Sequence, residues 1–395
     1  MGRHWPRDVE RTDRPGFALV RSGDGLLWGV CAQVSGLLVD PYRRPHQLLG
    51  CEPSGPLLDL LNGPGAGALG DLGDLWLAPR GCGRHAVPDP FDDPHAPWRL
   101  EDARVTGHRR RPGEPGTWDV FLDAADGWPE PPGDPCLAAG LLVHDGHRVL
   151  GVCRDASDVV PADAEPSRPP LRLLGCAPGA ELRAALGTGT RRSLALGEAV
   201  LEVLGAGGQE VLSRNVTGEV AGWRPSALGS GLVDIDLTEG PREPFPAHAR
   251  ALWDRWLAGP PAESGLWAGY TTRERRLWLD LVRERGCAGG PRTDRPAGLV
   301  YEADGRHMTD EPGLYLALGE AMNGPGGYVG CNADALADCL RGGFGVGTPC
   351  TVVWRDSSVA RRALGATLNA SGEPDSRFGV VLEVLAAGGV EVVLR

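Results

Sequence analysis

The chain has 395 residues, room for two or three domains, and its 42% apolar content suits packed cores and excludes a disordered chain. A formal charge of −12 sets a broad negative field, which disfavours direct contact with nucleic acid or anionic membranes and favours basic protein partners. No stretch approaches the roughly 18 apolar residues of a membrane span.

The opening stretch Met1–Glu10 is charged and lacks an apolar core, so it is not read as an export signal, and the expected compartment is the cytoplasm. The ten cysteines include no C-x-x-C pair. They read as small buried apolar side chains, not as a disulfide framework. Cys82-Gly83-Arg84-His85 has one ligand-like spacing without a second half, so no zinc site is read there.

An internal repeat organises the first 240 or so residues. Phe17–Cys31 resembles Leu141–Cys153, Gln47–Pro53 resembles Arg172–Pro178, and Arg104–Gly107 resembles Asn215–Gly218. Alternating strands follow the last pair at Trp118–Leu122 and Leu232–Leu237. Two β-rich units are expected, over 1–130 and 136–242. Asp-Gly turns between apolar runs predict a hairpin opening each unit. Val200–Val211 fits either a hairpin or a helix entering a strand, and Ala180–Leu186 reads as a short helix. Stretches rich in Pro and Gly around Pro129–Pro135 and Pro161–Pro170 read as linker and loop.

From Phe245 the texture turns helical, and 245–290 reads as a helical connector and linker. Leu277 and Leu281, with Trp278 beside them, form its core stripe. Beyond Pro296 strands and helices alternate. Leu299–Glu302, Cys350–Trp354 and Val390–Leu394 read as strands; Thr309–Met322, Asn332–Leu340, Ser357–Leu364 and Phe378–Ala387 read as helices. Crossover helices between strands imply a small parallel sheet.

On the helix that Asn332 can cap, Ala335, Leu336, Cys339 and Leu340 project to one side. Asp334, Ala337, Asp338 and Arg341 project to the other. Two carboxylates one turn apart therefore share an exposed face. The helix dipole accounts for Asp334 in the first turn and not for Asp338.

The run Gly326-Gly327-Tyr328-Val329-Gly330-Cys331-Asn332-Ala333-Asp334-Ala335-Leu336-Ala337-Asp338-Cys339-Leu340 resembles the barstar-family signature, a Tyr-x-Gly-x-Asn loop entering an Asp-Ala-Leu-x-Asp-Cys-Leu helix. The resemblance implies an α/β barstar-like C-terminal domain over 297–395, a three-stranded parallel sheet with helices. It also implies an intracellular inhibitor of guanyl-specific extracellular ribonucleases, small basic enzymes like barnase. Carried over by position, Tyr328, Gly330 and Asn332 form the contact loop, Asp334 and Asp338 the acidic contacts, and Gly342 the glycine after the helix. Glu383 is the candidate for a further acidic contact. Ala337 stands where the best-known members carry a Trp, and Arg341 sets a cation beside Asp338.

An alternative remains open: a barstar-fold interaction module in an adaptor or sensor whose specificity lies in the N-terminal repeats. His85, His95, His144 and His147 form no legible catalytic arrangement, so no enzyme is expected and no cofactor is implied.

Overall fold

The computed structural model describes residues 16–63, 70–80, 96–127, 139–158, 169–205, 208, 210–241, 245–287 and 290–395. Met1–Glu10, Cys82–His85, His95, Pro129–Pro135 and all but the last residues of Pro161–Pro170 lie outside them.

The first copy of the repeat contributes strands β1 (Phe17–Arg21), β2 (Leu27–Ser35) and β3 (Arg43–Pro53), helix α1 (Gly55–Asn62), then β4 (Gly70–Pro79), β5 (Trp98–Arg110) and β6 (Trp118–Asp126). The second contributes β7 (Leu141–His144), β8 (Val149–Cys153), a short β9 (Asp155–Asp158) and β10 (Arg172–Pro178). It continues with α2 (Ala180–Thr188), α3 (Arg191–Leu194), β11 (Ala195–Leu204), β12 (Glu210–Pro225) and β13 (Val233–Leu237). Apart from β9 and α3, the two copies run element for element. The Val200–Val211 ambiguity resolves as a hairpin, because β11 pairs antiparallel with β12.

One closed barrel runs β1-β11-β12-β13-β10-β2. The second sheet runs β6-β5-β4-β7-β8-β3-β9, and an added β6–β3 pairing closes six of these strands into a ring of the same order. Each ring therefore takes its opening hairpin from the other copy: β1–β2 completes the second copy's ring, and β7–β8 the first copy's. The two hairpins resemble each other in sequence, so that similarity alone does not say which ring each one closes. Leu57 and Leu61 of α1 join Leu48, Leu75, Leu100 and Leu122 in the core of the second ring.

The repeat extends to single hydrogen bonds. The Asp119 carboxylate accepts from Gly50 N, and the Asp234 carboxylate from Gly175 N, each at 3.0 Å. Both glycines sit at positive φ, 60° and 61°, a conformation that an L side chain disfavours.

Four of the cysteines are disulfide-bonded, contrary to the expectation of free buried side chains. Cys31 is bonded to Cys176, and Cys51 to Cys153. Cys31 and Cys153 hold the same place in the two copies, as do Cys51 and Cys176. One bond is thus made twice, each time tying an exchanged hairpin into its host ring. The partners lie 145 and 102 residues apart, beyond the reach of any local spacing rule.

The connector forms α4 (Arg250–Leu257) and α5 (Thr272–Cys287). The buried stripe of α5 is Arg275, Trp278, Leu281, Val282 and Gly286, while Leu277 is only half-buried. Arg275 is buried because its guanidinium donates to His307 O, Thr309 Oγ1 and Asp310 Oδ2 at 3.0–3.2 Å. The connector is thereby bonded to residues 307–310 of the C-terminal region.

That region holds β14 (Val300–Asp304), α6 (Glu311–Asn323), α7 (Ala333–Leu340), β15 (Cys350–Arg355) and α8 (Ser357–Leu364). A hairpin of two-residue strands, β16 (Thr367–Leu368) and β17 (Pro374–Asp375), precedes α9 (Arg377–Ala387) and β18 (Val390–Leu394). β14, β15 and β18 form a three-stranded parallel sheet in that order. Asp310 caps α6 by accepting from Gly313 N at 2.8 Å, with Pro312 in the first turn. This is the barstar-like α/β arrangement, preceded by two β-rich barrel units and helices.

The described residues divide into two compact units. One takes in those of Met1–Asp40, Ser167–Ala360 and Val380–Arg395; the other takes in those of Pro41–Pro166 and Arg361–Gly379. In the latter, Leu368 N donates to Gly146 O at 2.7 Å, so the β16–β17 hairpin lies on the β7–β8 turn.

Candidate protein-binding site

α7 begins where Asn332 leaves the extended loop at φ −154° and its side-chain oxygen accepts from Ala335 N at 2.8 Å. That cap sets the rotation of the helix. Leu336, Cys339 and Leu340 turn inward and are buried, and Ala335 is half-buried. Asp334, Asp338 and Arg341 turn outward and are exposed, with Ala337 half-buried between the acids. Burial pushes the Cys339 thiol up to about 12, so it stays protonated at neutral pH.

The loop before α7 passes very close to the first turn. At Gly330, φ is +125°, and a Cβ there would stand 2.5 Å from Leu336 N. Only glycine fits. After the helix Gly342, at φ +117°, donates to Cys339 O at 3.3 Å and reverses the chain.

Tyr328 does not face solvent. It is 5% exposed, its ring sits 6.1 Å from that of Phe344, and its hydroxyl donates to Cys331 Sγ at 3.7 Å. Burial raises the phenol above its usual range. Glu383 is exposed on α9. The end of that helix abuts α7, since a Cβ on Gly388 would stand 2.5 Å from Leu340 Cδ1.

Two braces hold the loops flanking α7, and the sequence pattern does not reveal either. Asn323 Nδ2 donates to Tyr328 O at 2.8 Å and to Phe344 O at 2.9 Å. The Asp294 carboxylate accepts from Gly343 N and Gly345 N, both at 2.8 Å, and the Gly343 bond leads in holding its pKa below the usual value. Both residues act on distant backbone, which leaves no periodic mark.

Arg341 donates to Asp338 at the end of α7, with both side chains largely in water. Such a pair stabilises by only about 0–1 kcal/mol and exchanges readily for another partner. The outward face therefore offers Asp334, which has no ion pair among the described residues, and Asp338 behind a displaceable cation. Among the described residues no three His, Cys, Asp or Glu side chains converge as metal ligands. His144 is buried, its Nδ1 accepting from Gly146 N and its Nε2 lying 3.1 Å from Ala370 O, so both ring nitrogens serve the fold.

Residues 299–372 match the Barstar (barnase inhibitor) family. The Barstar segment includes Tyr328, Gly330, Asn332, Asp334, Ala337, Asp338 and Gly342, and ends before Glu383. β18 lies beyond it and still completes the sheet, by pairing with β15. No curated protein matches the chain. The family is one of inhibitors that bind ribonucleases such as barnase, not of enzymes. No helix among the described residues is long and apolar enough to cross a membrane.

Proposed function

We propose that the chain inhibits a guanyl-specific extracellular ribonuclease, a small basic enzyme of the barnase type, by seating α7 and the loop before it in the active site. One observation carries this: Asp334 and Asp338 both stand exposed, one turn apart, on the capped helix of the Barstar segment. A ribonuclease must present cations to an RNA phosphate. A carboxylate held on a short braced helix meets those cations with charge-assisted hydrogen bonds and little ordering cost. Complementary charge also speeds encounter, which suits a protein that protects RNA inside the cell.

In this reading Asp338 exchanges Arg341 for the enzyme's cations, Asp334 adds a second contact, and Glu383 lies on the neighbouring helix. Ala337 leaves a shallow place between the acids. Asn332 and Gly330 fix the loop, Gly342 lets the chain clear the helix, and Tyr328 props the loop from beneath. The test adds the full chain to a guanyl-specific ribonuclease and follows RNA cleavage. Inhibition that disappears with Asp338→Ala supports the proposal. Cleavage unaffected by the wild-type chain sinks it.

The burial of Tyr328 beneath α5 favours one second reading, a Barstar-fold interaction module in an adaptor or sensor whose specificity lies in the repeats. Cleavage that stays undiminished with every guanyl-specific ribonuclease tried would support it.

A further inference from the structure

A single histidine sits where the β7–β8 turn meets the β16–β17 hairpin. His144 ends β7, is 0% exposed, and stacks on Trp76 with ring centroids 6.4 Å apart and planes 11° from parallel. Gly146 N donates to its Nδ1 at 3.1 Å, and its Nε2 lies 3.1 Å from Ala370 O in the loop between β16 and β17. The bond from Leu368 N to Gly146 O lies at the same junction. Packing there is close: a Cβ on Gly372 would overlap Leu142 Cδ2 and stand 3.4 Å from His144 Cδ2.

These partners dictate the charge of the ring. A backbone N–H only donates and a carbonyl only accepts, so Nδ1 is bare and Nε2 carries the proton. The imidazole is therefore neutral and held in one tautomer. A second proton would go to Nδ1, opposing the Gly146 N–H and placing a charge in a buried site. The protonated ring cannot keep both bonds. Burial leads in holding the His144 pKa below the ordinary 6.5; the Ala370 bond and Asp145 act the other way, and Arg377 acts with burial. The Asp145 carboxylate also accepts from His147 N and Arg148 N at 2.7 and 2.6 Å, which fastens it to the turn. Of the other charged groups on these elements, His147, Arg148 and Glu373 are exposed and Asp375 is half-buried. Arg99, 6.0 Å from the Trp76 ring, is paired with Asp74.

We propose that His144 is an acid-released clasp: adding a proton to its imidazole frees the β16–β17 hairpin from the β7–β8 turn. Histidine is the side chain whose charge ordinarily changes near neutral pH, and this one joins segments 226 residues apart in the chain. Above pH 6.5 the ring is neutral whether clasped or released, and the clasp holds in full. Below 6.5 the released ring takes up a proton that the clasped ring does not. The clasp therefore weakens as pH falls, until the lowered pKa of the clasped ring is reached. It uses none of the α7 residues and does not depend on ribonuclease inhibition.

The test follows the full chain by NMR and amide hydrogen exchange from about pH 7.5 to about pH 5. At the upper pH the His144 ring is expected to show the Nε2-protonated tautomer. Exchange of the Leu368 amide, corrected for its intrinsic pH dependence, is expected to quicken about tenfold at the lower pH, the factor that one unit of pKa difference supplies. His144→Gln keeps an N–H donor for Ala370 O and does not titrate, so its Leu368 protection is expected to be the same at both ends. Exposed His147→Gln is expected to respond as wild type does. Leu368 protection indifferent to pH in the wild type overturns the proposal, as does an equal loss in His144→Gln or an Nδ1-protonated ring. Should His144→Gln fail to fold, the wild type alone decides: the midpoint of Leu368 release must coincide with that of the His144 ring signals, and separate midpoints overturn the proposal.

Discussion

Gly286, near the end of α5, lies directly against Tyr328: a Cβ at 286 would stand 2.6 Å from Tyr328 Cβ. The connector helix therefore occupies the space above the aromatic ring, and only a residue without a side chain permits it. This contact joins the connector to the loop that enters α7. Gly286→Leu is expected to destabilise this region by about 1–3 kcal/mol through overpacking. It is also expected to weaken ribonuclease inhibition by displacing the loop. Urea titration read beside an inhibition assay checks both, and an unchanged midpoint contradicts the packing.

Asn332 is the sole side-chain cap of α7 seen among the described residues. Asn332→Ala is expected to cost about 0.5–2 kcal/mol and to loosen the acidic face, whereas Asn332→Asp keeps an acceptor and most of the stability. The pair of urea midpoints separates loss of the cap from loss of a partner contact.

Glu320 of α6 is buried and accepts from Gly265 N at 2.7 Å and from Trp267 Nε1 at 3.0 Å. Burial raises its pKa above the ordinary 4.5, against these hydrogen bonds. Between the unfolded and folded values the native state holds more protons than the unfolded one, so stability falls as pH rises through that window. Denaturant midpoints measured upward from pH 4.5 are expected to decline for this residue's share. Glu320→Gln is expected to flatten that slope, and an identical slope in both proteins contradicts the assignment.

The two disulfides make a prediction about mass. Unreduced protein is expected to be lighter than the reduced chain by the hydrogens of two thiol pairs, with Cys31, Cys51, Cys153 and Cys176 protected from alkylation and the exposed Cys287 modified. Reduction is expected to cost about 2–4 kcal/mol for each bond. Disulfides persist in oxidising surroundings, so the same measurement on protein taken directly from cells bears on the cytoplasmic expectation. Recovery of every thiol free would contradict the pairing.

Local chemistry made much of the C-terminal region legible. Asp310 and Asn332 are capping residues directly before helices, and the outward placement of Asp334 and Asp338 follows from helical spacing on the cap that begins it. Runs such as Cys350–Trp354 read as strands because they are short, apolar and bounded by turns. The β16–β17 hairpin was not legible, since Thr367-Leu368 and Pro374-Asp375 are too short to carry a period. The exchange of hairpins was hidden for another reason, because the two hairpins resemble each other and a repeat in sequence does not say which copy pairs with which ring. Tyr328 matched a motif, but a motif does not say which neighbouring segment covers a residue. Asp294 and Asn323 hold the site through backbone groups, whose identity is independent of the side chains there.

Inhibition, as proposed, turns on Asp338 and the Arg341 cation it now holds. Its most direct test is the affinity of the full chain for a catalytically inactive guanyl-specific ribonuclease at two salt concentrations, for wild type, Asp338→Ala and Arg341→Ala. The predicted result is salt-sensitive binding that weakens at least about tenfold in Asp338→Ala, the scale of a lost charge-assisted contact. Arg341→Ala should bind up to about fivefold more tightly, as its surface pair no longer competes. Equal affinities for all three proteins, or no binding by any, would contradict the account.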